Sequence, residues 1–306
     1  MGRFAIGRIV QGLVVVFCVT VVVFVTTRLV GDPVKVMLPF ESTPEQRAAF
    51  RHQIGFDRPI LTQFREYIEN LAQGDFGNSL LQDRPTIRIV LEHLPATFEL
   101  VFAGIALAVL IAVPLGVIAA LRPGGVVDRV SVFLSLIGLS VPQFFLGILL
   151  ILFFAVELQW LPASGKGGLD HLILPALNLA LPAVGRLAMI ARSSMIDELG
   201  NAYVQTAKAK GIPHWRVVGI HALRNAFIPV LTLTGWELIR ALAGYSVVVE
   251  TVFAWPGVGY LAYQAIQDQD LFLLQTIVLV IAVLVVFVNV GIDILYRAVD
   301  PRIKLA

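Results

Sequence analysis

The sequence predicts an all-α, polytopic membrane protein. Three observations carry that prediction: long uncharged apolar runs, a low share of charged residues, and a one-sided distribution of Lys and Arg. Hydrophobic residues make up 58% of the 306 residues and charged residues only 14%, with a mean hydropathy of +0.84. Soluble domains carry about 25% charged residues. A soluble core of this size could not hide so much apolar surface. A bilayer core takes about 20 apolar residues per helix, and six stretches are long enough: roughly 9–30, 98–120, 131–156, 172–192, 229–250 and 273–296. The reading is six transmembrane helices, a small helical extracytoplasmic insert at 31–97, and a polar, basic cytoplasmic loop at 193–228.

Taken in order, residues 1–30 hold the N-terminus and the first span. Arg3 and Arg8 precede an apolar run from Ile9 to Thr27. The run is too long for a signal-peptide core and no small-residue cleavage site follows, so it reads as an uncleaved span. In the insert, Ser42-Thr43-Pro44-Glu45 is a helix start, with a hydroxyl cap and then Pro in the first turn. Ile60, Leu61, Phe64, Tyr67, Ile68 and Leu71 recur at helical spacing and give one apolar face. Gly74 to Ser79 reads as a turn. Thr86 to His93 reads as a short helix, with Pro95 opening the second span. Such an insert packs as a cap on the outer ends of the spans, and the same surface is open to docking a partner. Residues 98–306 hold the remaining five spans. Pro114, Pro142, Pro175 and Pro182 interrupt them and predict kinks, which transmembrane helices tolerate when neighbours satisfy the freed backbone groups.

Orientation follows from Lys and Arg in the short loops. With the N-terminus inside, the inner segments hold Arg3, Arg8, Arg122, Arg129, Arg192, Lys208, Lys210, Arg216, Arg224, Arg297, Arg302 and Lys304. The two short outer loops, near 157–171 and 251–272, hold only Lys166 between them. The long 31–97 segment translocates largely regardless of its charge. Both termini are therefore expected in the cytoplasm.

Within the 193–228 loop, Ala202–Lys210 is a good helix former. Gly211 stops that helix by allowing a left-handed turn, and Pro213 restarts it at a first-turn position. A short helix of this kind presents Lys208 and Lys210 either to a soluble partner or to acidic lipid headgroups.

Several chemistries are excluded or disfavoured. Cys18 is the one cysteine, so no intrachain disulfide forms. No Cys/His cluster has metal-ligand spacing. A phosphate-cradling loop needs Gly-x-x-x-x-Gly-Lys-Ser/Thr, and the only Gly-Lys pair, Gly165-Lys166, is followed by Gly167. The chain is therefore expected to be no enzyme, with no catalytic residue, no metal and no cofactor of its own. An intramembrane protease would need a base within reach of Ser193 or Ser194, yet His171 and His221 are predicted on opposite sides. An ion channel would show charged rings or a filter-like motif, and neither is present.

The order and spacing of several segments resemble the peptide/nickel branch of bacterial ABC-importer permeases, over nearly the whole chain. They are Gly31-Asp32-Pro33, Gly74-Asp75-Phe76-Gly77, Ser140-Val141-Pro142, Tyr203 to Gly211, His221 to Ala226, Val249 to Gly259, and Asp300-Pro301-Arg302. The short N-terminal tail and the 31–97 insert resemble the B-type, or first, permease of dipeptide and oligopeptide systems. The basic loop is similar to that family's "EAA" coupling loop, with Tyr203, Thr206, Ala207, Lys208, Ala209, Lys210, Gly211, Pro213 and then Ile228-Pro229 at the matching positions. It departs in having Gln205-Thr206-Ala207 in place of the Glu of that name.

The resemblance implies a permease subunit of the bacterial cytoplasmic membrane that moves di- or oligopeptides inward by alternating access. It implies a homologous C-type permease partner, two cytoplasmic ATPases that hold ATP and Mg, and an extracytoplasmic substrate-binding protein. The surrounding bilayer is a partner too, and no nucleic acid is expected. Nickel chelates, glutathione and opines remain alternative cargoes.

Glu237 and Arg240 stand near the middle of the fifth span, three residues apart and on one helix face. A mid-membrane charge costs roughly 2.5–3.5 kcal/mol on insertion scales, so such residues face an interior or a wet cavity. They form either an ion pair that fixes packing or a pathway lining that meets the charged ends of a peptide. Gln143 and Asn178 are further pathway candidates, although single polar residues there often hydrogen-bond a neighbouring helix. Arg186 is expected close enough to the inner face to snorkel.

Overall fold

A computed structural model describes residues 2–30, 34, 38, 41–53 and 55–299, with the side chains of 2–6, 9, 29, 30, 53 and 295–299 outside that description. The Gly31-Asp32-Pro33 and Asp300-Pro301-Arg302 segments therefore lie outside the described residues, as do Arg302 and Lys304. Among the described residues the regular elements are helices, and one isolated bridge joins Asn78 to Pro85. They fall into two compact units, residues 1–96 with 257–287, and residues 97–256 with those from 288 onward.

The first unit begins with α1 (Gly2–Val30). Helix α2 (Pro44–Gln53) starts as its sequence requires. The Gln46 backbone N–H donates to the Thr43 hydroxyl at 3.3 Å, and the Gln46 side-chain oxygen accepts the Thr43 N–H at 2.9 Å. Helix α3 (Ile60–Ala72) lays its aromatic residues on α1. Buried Phe24 meets the Phe64 ring edge-on at 5.1 Å and stacks on Tyr67 at 5.5 Å. Arg28 lies over the Phe24 and Phe56 rings and donates to Gln63 Oε1 at 2.9 Å.

Helix α4 runs unbroken from Thr86 to Leu121, which corrects the expectation of a short helix ended at Pro95. Proline removes one donor and frees the carbonyl four residues back. Here that carbonyl belongs to Leu91, an exposed position, and the flanking turns hold the helix together. Ile89 and Val90 pack with Val258, Leu261, Ala265, Leu273 and Ile277. Polar side chains also join distant segments of this unit. Ser79 donates to Asp270 at 2.5 Å, the Thr86 and Thr276 hydroxyls lie 2.8 Å apart, and Gln275 donates to Thr27.

The second unit is organised around one helix. Following the order of the chain, α5 (Val126–Ser140) and α6 (Gln143–Leu150, continued as a π-helical run Ile151–Glu157) precede α7 (Leu169–Gly200). The most apolar window of α7 is 61% buried, against 28–33% in the other continuous candidate spans. It is thus the helix the others pack on. Close approach is possible because of glycine. A Cβ on Gly116 of α4 would lie 2.6 Å from the Ala191 Cβ, and one on Gly185 would lie 2.7 Å from the Ser135 carbonyl of α5.

Within the span expected at 131–156, helices α5 and α6 meet at a sharp break. Their axes bend by 106° at Val141-Pro142. Proline disfavours the helical region for the residue before it, and Val141 is extended (φ −80°, ψ 126°). The described chain thus has five helices long and apolar enough to cross a membrane, or six if this bent pair counts as one span. Beyond α6, the turn at 158–168 is tied down within the unit. Gly165 N–H donates to the Phe253 carbonyl at 2.8 Å, and Lys166 pairs with Glu99 at 2.6 Å.

After α7 come α8 (Ala202–Ala209), the single turn α9 (His214–Arg216), a π-helical run Val217–Ala222 and α10 (Leu223–Arg240). Another π-turn, Ala241–Tyr245, leads into α11 (Ser246–Val252). The spans on either side, Leu169–Gly200 and His214–Val252, extend well into the 193–228 segment, so 201–213 links them. The expected outer loop at 251–272 contains a helix, α12 (Val258–Gln267), before α13 (Leu271–Val299).

Candidate functional site

Helix α8 is held from beneath and bare on top. Val204 and Ala207 are buried with Met195, Ala120, Val217, Val218, Ala222 and Ala226. Tyr203 ties α8 to its neighbours: its hydroxyl donates to the Glu198 carboxylate and accepts from Asn225 Nδ2 at 3.1 Å. Burial, and then the bond to Glu198, push this phenol above its ordinary pKa.

The stop at the end of α8 is set by backbone geometry. Gly211 has φ +70°. Its N–H donates to the Lys208 carbonyl at 3.0 Å, and the Ile212 N–H donates to the Ala207 carbonyl at 3.2 Å. These are the two bonds of a Schellman motif. A side chain on Gly211 would meet no atom within 4 Å, so the requirement there is the positive φ alone. Pro213 caps the next turn from just outside it, one position before the expected first turn, and its carbonyl accepts the Arg216 and Val217 N–H groups.

The exposed surface of this segment includes Thr206, Lys208, Ala209 and Lys210, together with Trp215 at 64% exposure and Ile220 at 52%. Arg216 lies 5.0 Å over the Trp215 ring. Charge and helix propensity had singled out the lysines but not Trp215. An aromatic in an otherwise polar, basic stretch was the available signal.

A second constellation lies in the same unit. Arg186 of α7 grips Glu237 of α10 with both arms of its guanidinium, Nε to Oε1 at 2.5 Å and Nη2 to Oε2 at 2.7 Å. Glu237 is 2% exposed, whereas Arg240 is 47% exposed and stands 3.6 Å from Oε1. The expected Glu237–Arg240 pair is present at 3.6 Å, and Arg186 joins it as the bidentate partner. The Arg186 guanidinium, expected to snorkel, turns to a buried carboxylate on the neighbouring helix.

Arg192 makes a second bidentate pair, with Asp128 of α5, whose Oδ2 also accepts the Gly124 N–H at 2.7 Å. Asp128 and its pairing were missed. An acidic residue at the head of an apolar helix was the available clue, but the sequence does not say which Arg faces it. Arg186, Arg192 and Arg240 line an open cleft of about 500 Å³, with Val132, Met189, Ile190 and Leu233 as its apolar walls.

The other two candidates stand elsewhere. Gln143 opens α6 and is half-buried. Asn178 is fully buried against Gly147, and its amide has no hydrogen-bond partner among the described residues. It lies eight residues before Arg186 on α7, roughly 12 Å along the helix axis. Neither residue joins the arginine cleft.

The chain is similar to known proteins over nearly its whole length. Residues 112–305 match the family described as "Binding-protein-dependent transport system inner membrane component", and residues 1–101 match its N-terminal counterpart. The chain is 36% identical over 313 residues to a probable peptide ABC transporter permease of Sinorhizobium fredii, covering 99% of this chain and all of that protein. It is 38% identical to the di/tripeptide transport system permease protein DppB of Pseudomonas aeruginosa, covering 94% of each. It is also 36% identical to the glutathione transport system permease protein GsiC of Escherichia coli K12, covering 99% of each.

The fold is similar to a chain of the MetNI methionine ABC transporter in an inward-facing conformation. The TM-score is 0.59 at 20% identity, covering 71% of this chain and 98% of that one. With its apolar helices and full-length family match, this is a multi-pass inner-membrane transport component, and it belongs to the inner-membrane permeases of binding-protein-dependent ABC transport systems.

Proposed function

We propose that this chain is the B-type permease of an ATP-driven importer of di- and oligopeptides, and that α8 is where it takes up force from an ATPase subunit. The observation that carries the reading is α8 itself. Val204 and Ala207 root the helix in the core while Thr206, Lys208, Ala209 and Lys210 face outward, and Gly211 and Pro213 set the turn into the next span. A push on that surface moves α7 and α10 together, because Tyr203 bonds to Glu198 and Asn225.

The chain hydrolyses no ATP. ATP and Mg sit on two cytoplasmic ATPase subunits, a C-type permease completes the membrane part, and an extracytoplasmic binding protein delivers the cargo. Both termini face the cytoplasm, on the Lys/Arg distribution. Glu237, Arg240, Gln143 and Asn178 belong to the pathway side of the subunit. Glutathione is the second cargo reading, favoured by the full-length likeness to GsiC.

The test replaces Ala209 with cysteine in a Cys18→Ser background. The expected result is a crosslink from Cys at 209 to the ATPase, formed only from the inner side. Labelling of that cysteine in intact cells by a membrane-impermeant reagent overturns the docking assignment. Uptake of labelled dipeptide, oligopeptide and glutathione then separates the cargoes.

A further inference from the structure

The cleft between α5, α7 and α10 is lined by three guanidiniums, Arg186, Arg192 and Arg240, and two carboxylates, Glu237 and Asp128, pair with the first two. Both carboxylates are spent in bidentate pairs, with Arg186 and Arg192. Arg240 is left over. Its nearest carboxylate oxygen, Glu237 Oε1, is 3.6 Å away and already accepts Arg186 Nε. Among the described residues the Arg240 guanidinium donates no hydrogen bond. It stands half-exposed in a cleft whose other walls are Val132, Met189, Ile190 and Leu233.

An arginine carries five donors in a planar fork suited to carboxylate and phosphate. A half-exposed guanidinium held only by a loose 3.6 Å ion pair keeps its donors free for the oxygens of a ligand. The opening is wide enough for a small organic anion, since ligand sites commonly run to about 300–1,000 Å³.

We infer that this cleft is an anion-binding site in which Arg240 receives the carboxylate or phosphate oxygens of a ligand, while the Arg186–Glu237 pair holds α7 and α10 at the spacing that keeps Arg240 pointing into it. The inference rests on the permease reading in so far as the ligand is a transported solute, whose free carboxylate then meets Arg240. The same chemistry would accept the phosphate of a lipid headgroup. Glu237 is closed to a ligand's ammonium group because both of its oxygens are taken. The site therefore reads the acidic end of a solute and ignores the basic end.

The test uses the full-length chain in phosphatidylcholine nanodiscs, with Cys18→Ser and Ser193→Cys, so that one cysteine on the cleft wall reports occupancy. N-acetyl-Ala-Ala is expected to slow modification of that cysteine by a neutral maleimide about tenfold, the scale of one charge-assisted pair. Its C-terminal amide should not. Arg240→Gln should abolish the protection and Arg240→Lys should retain part of it. Because Arg240 makes no hydrogen bond, its replacement leaves the Arg186–Glu237 pair in place, and elution as a single monodisperse species checks folding.

Protection that appears only when phosphatidylglycerol is added, and that also needs Arg240, assigns the ligand as a lipid headgroup. Equal protection by acid and amide, protection that survives Arg240→Gln, or no protection by either anion overturns the site. A failed ATPase crosslink at position 209 with protection intact would count against the transport reading and leave the anion site standing. The reverse pattern would do the opposite.

Discussion

Arg186 and Glu237 stand fifty-one residues apart in sequence and meet through two parallel hydrogen bonds, with the carboxylate almost wholly buried. This is the strongest polar tie between α7 and α10. It turns a charge that would be costly in an apolar unit into a fixed joint.

Breaking that joint from one side leaves the other charge without its bidentate partner, which costs up to roughly 3–5 kcal/mol where that charge is buried, as Glu237 is. Glu237→Gln and Arg186→Gln are each expected to lower the melting temperature of the purified protein markedly. The double variant Arg186→Met with Glu237→Met should recover most of the loss, since no buried charge is left unpaired and Arg240 is half-exposed. Equal or additive losses in the three variants would show that the pair contributes nothing as a pair.

Gly211→Val should strain the turn after α8. A β-branched residue resists positive φ, at a cost of about 1–2 kcal/mol, while the open space around Gly211 leaves room for the side chain. Assembly with partner subunits should persist and substrate-stimulated ATP hydrolysis should fall. Gly211→Asn, which tolerates the left-handed region, should restore much of it. Unchanged uptake in the valine variant would mean that the left-handed turn is dispensable.

Gly116 lets α4 and α7 touch. Even an alanine there would place its Cβ 2.7 Å from the Ala188 carbonyl oxygen. Gly116→Ala is expected to destabilise by about 1–3 kcal/mol through overpacking. Gly244→Ala, whose Cβ would meet nothing within 4 Å, should be neutral or slightly stabilising. Comparing thermal melts of the two variants isolates the close contact from the general effect of removing a glycine.

Tyr67 gives an alkaline signature. Burial against α1 pushes its phenol up to about 12 from an ordinary 10. The unfolded chain therefore releases this proton first as pH rises past 10. The contribution is full below pH 10 and is lost as pH climbs through 12, amounting to roughly 3 kcal/mol at most. Tyr67→Phe should flatten that part of the stability–pH curve. A curve of the same slope in the variant would place the alkaline transition on another group.

What could be read from the sequence was local or cumulative. The number and length of the apolar runs follow from the thickness of a bilayer. The start of α2 at Thr43-Pro44 and the stop of α8 at Gly211 follow from backbone chemistry a few residues long, and so does the aromatic stripe of α3. What only the tertiary structure decided is which helices meet. Glu237 has Arg240 one turn away on its own helix, so periodicity pairs them, yet the docking of α10 on α7 delivers Arg186 with better geometry. Pro95 and Pro142 carry the same local instruction, and one is absorbed in a continuous helix while the other becomes a 106° break. Proline removes one hydrogen bond at either place. Whether the chain runs on or turns depends on what packs on both sides of it, and residues far away in sequence supply that packing.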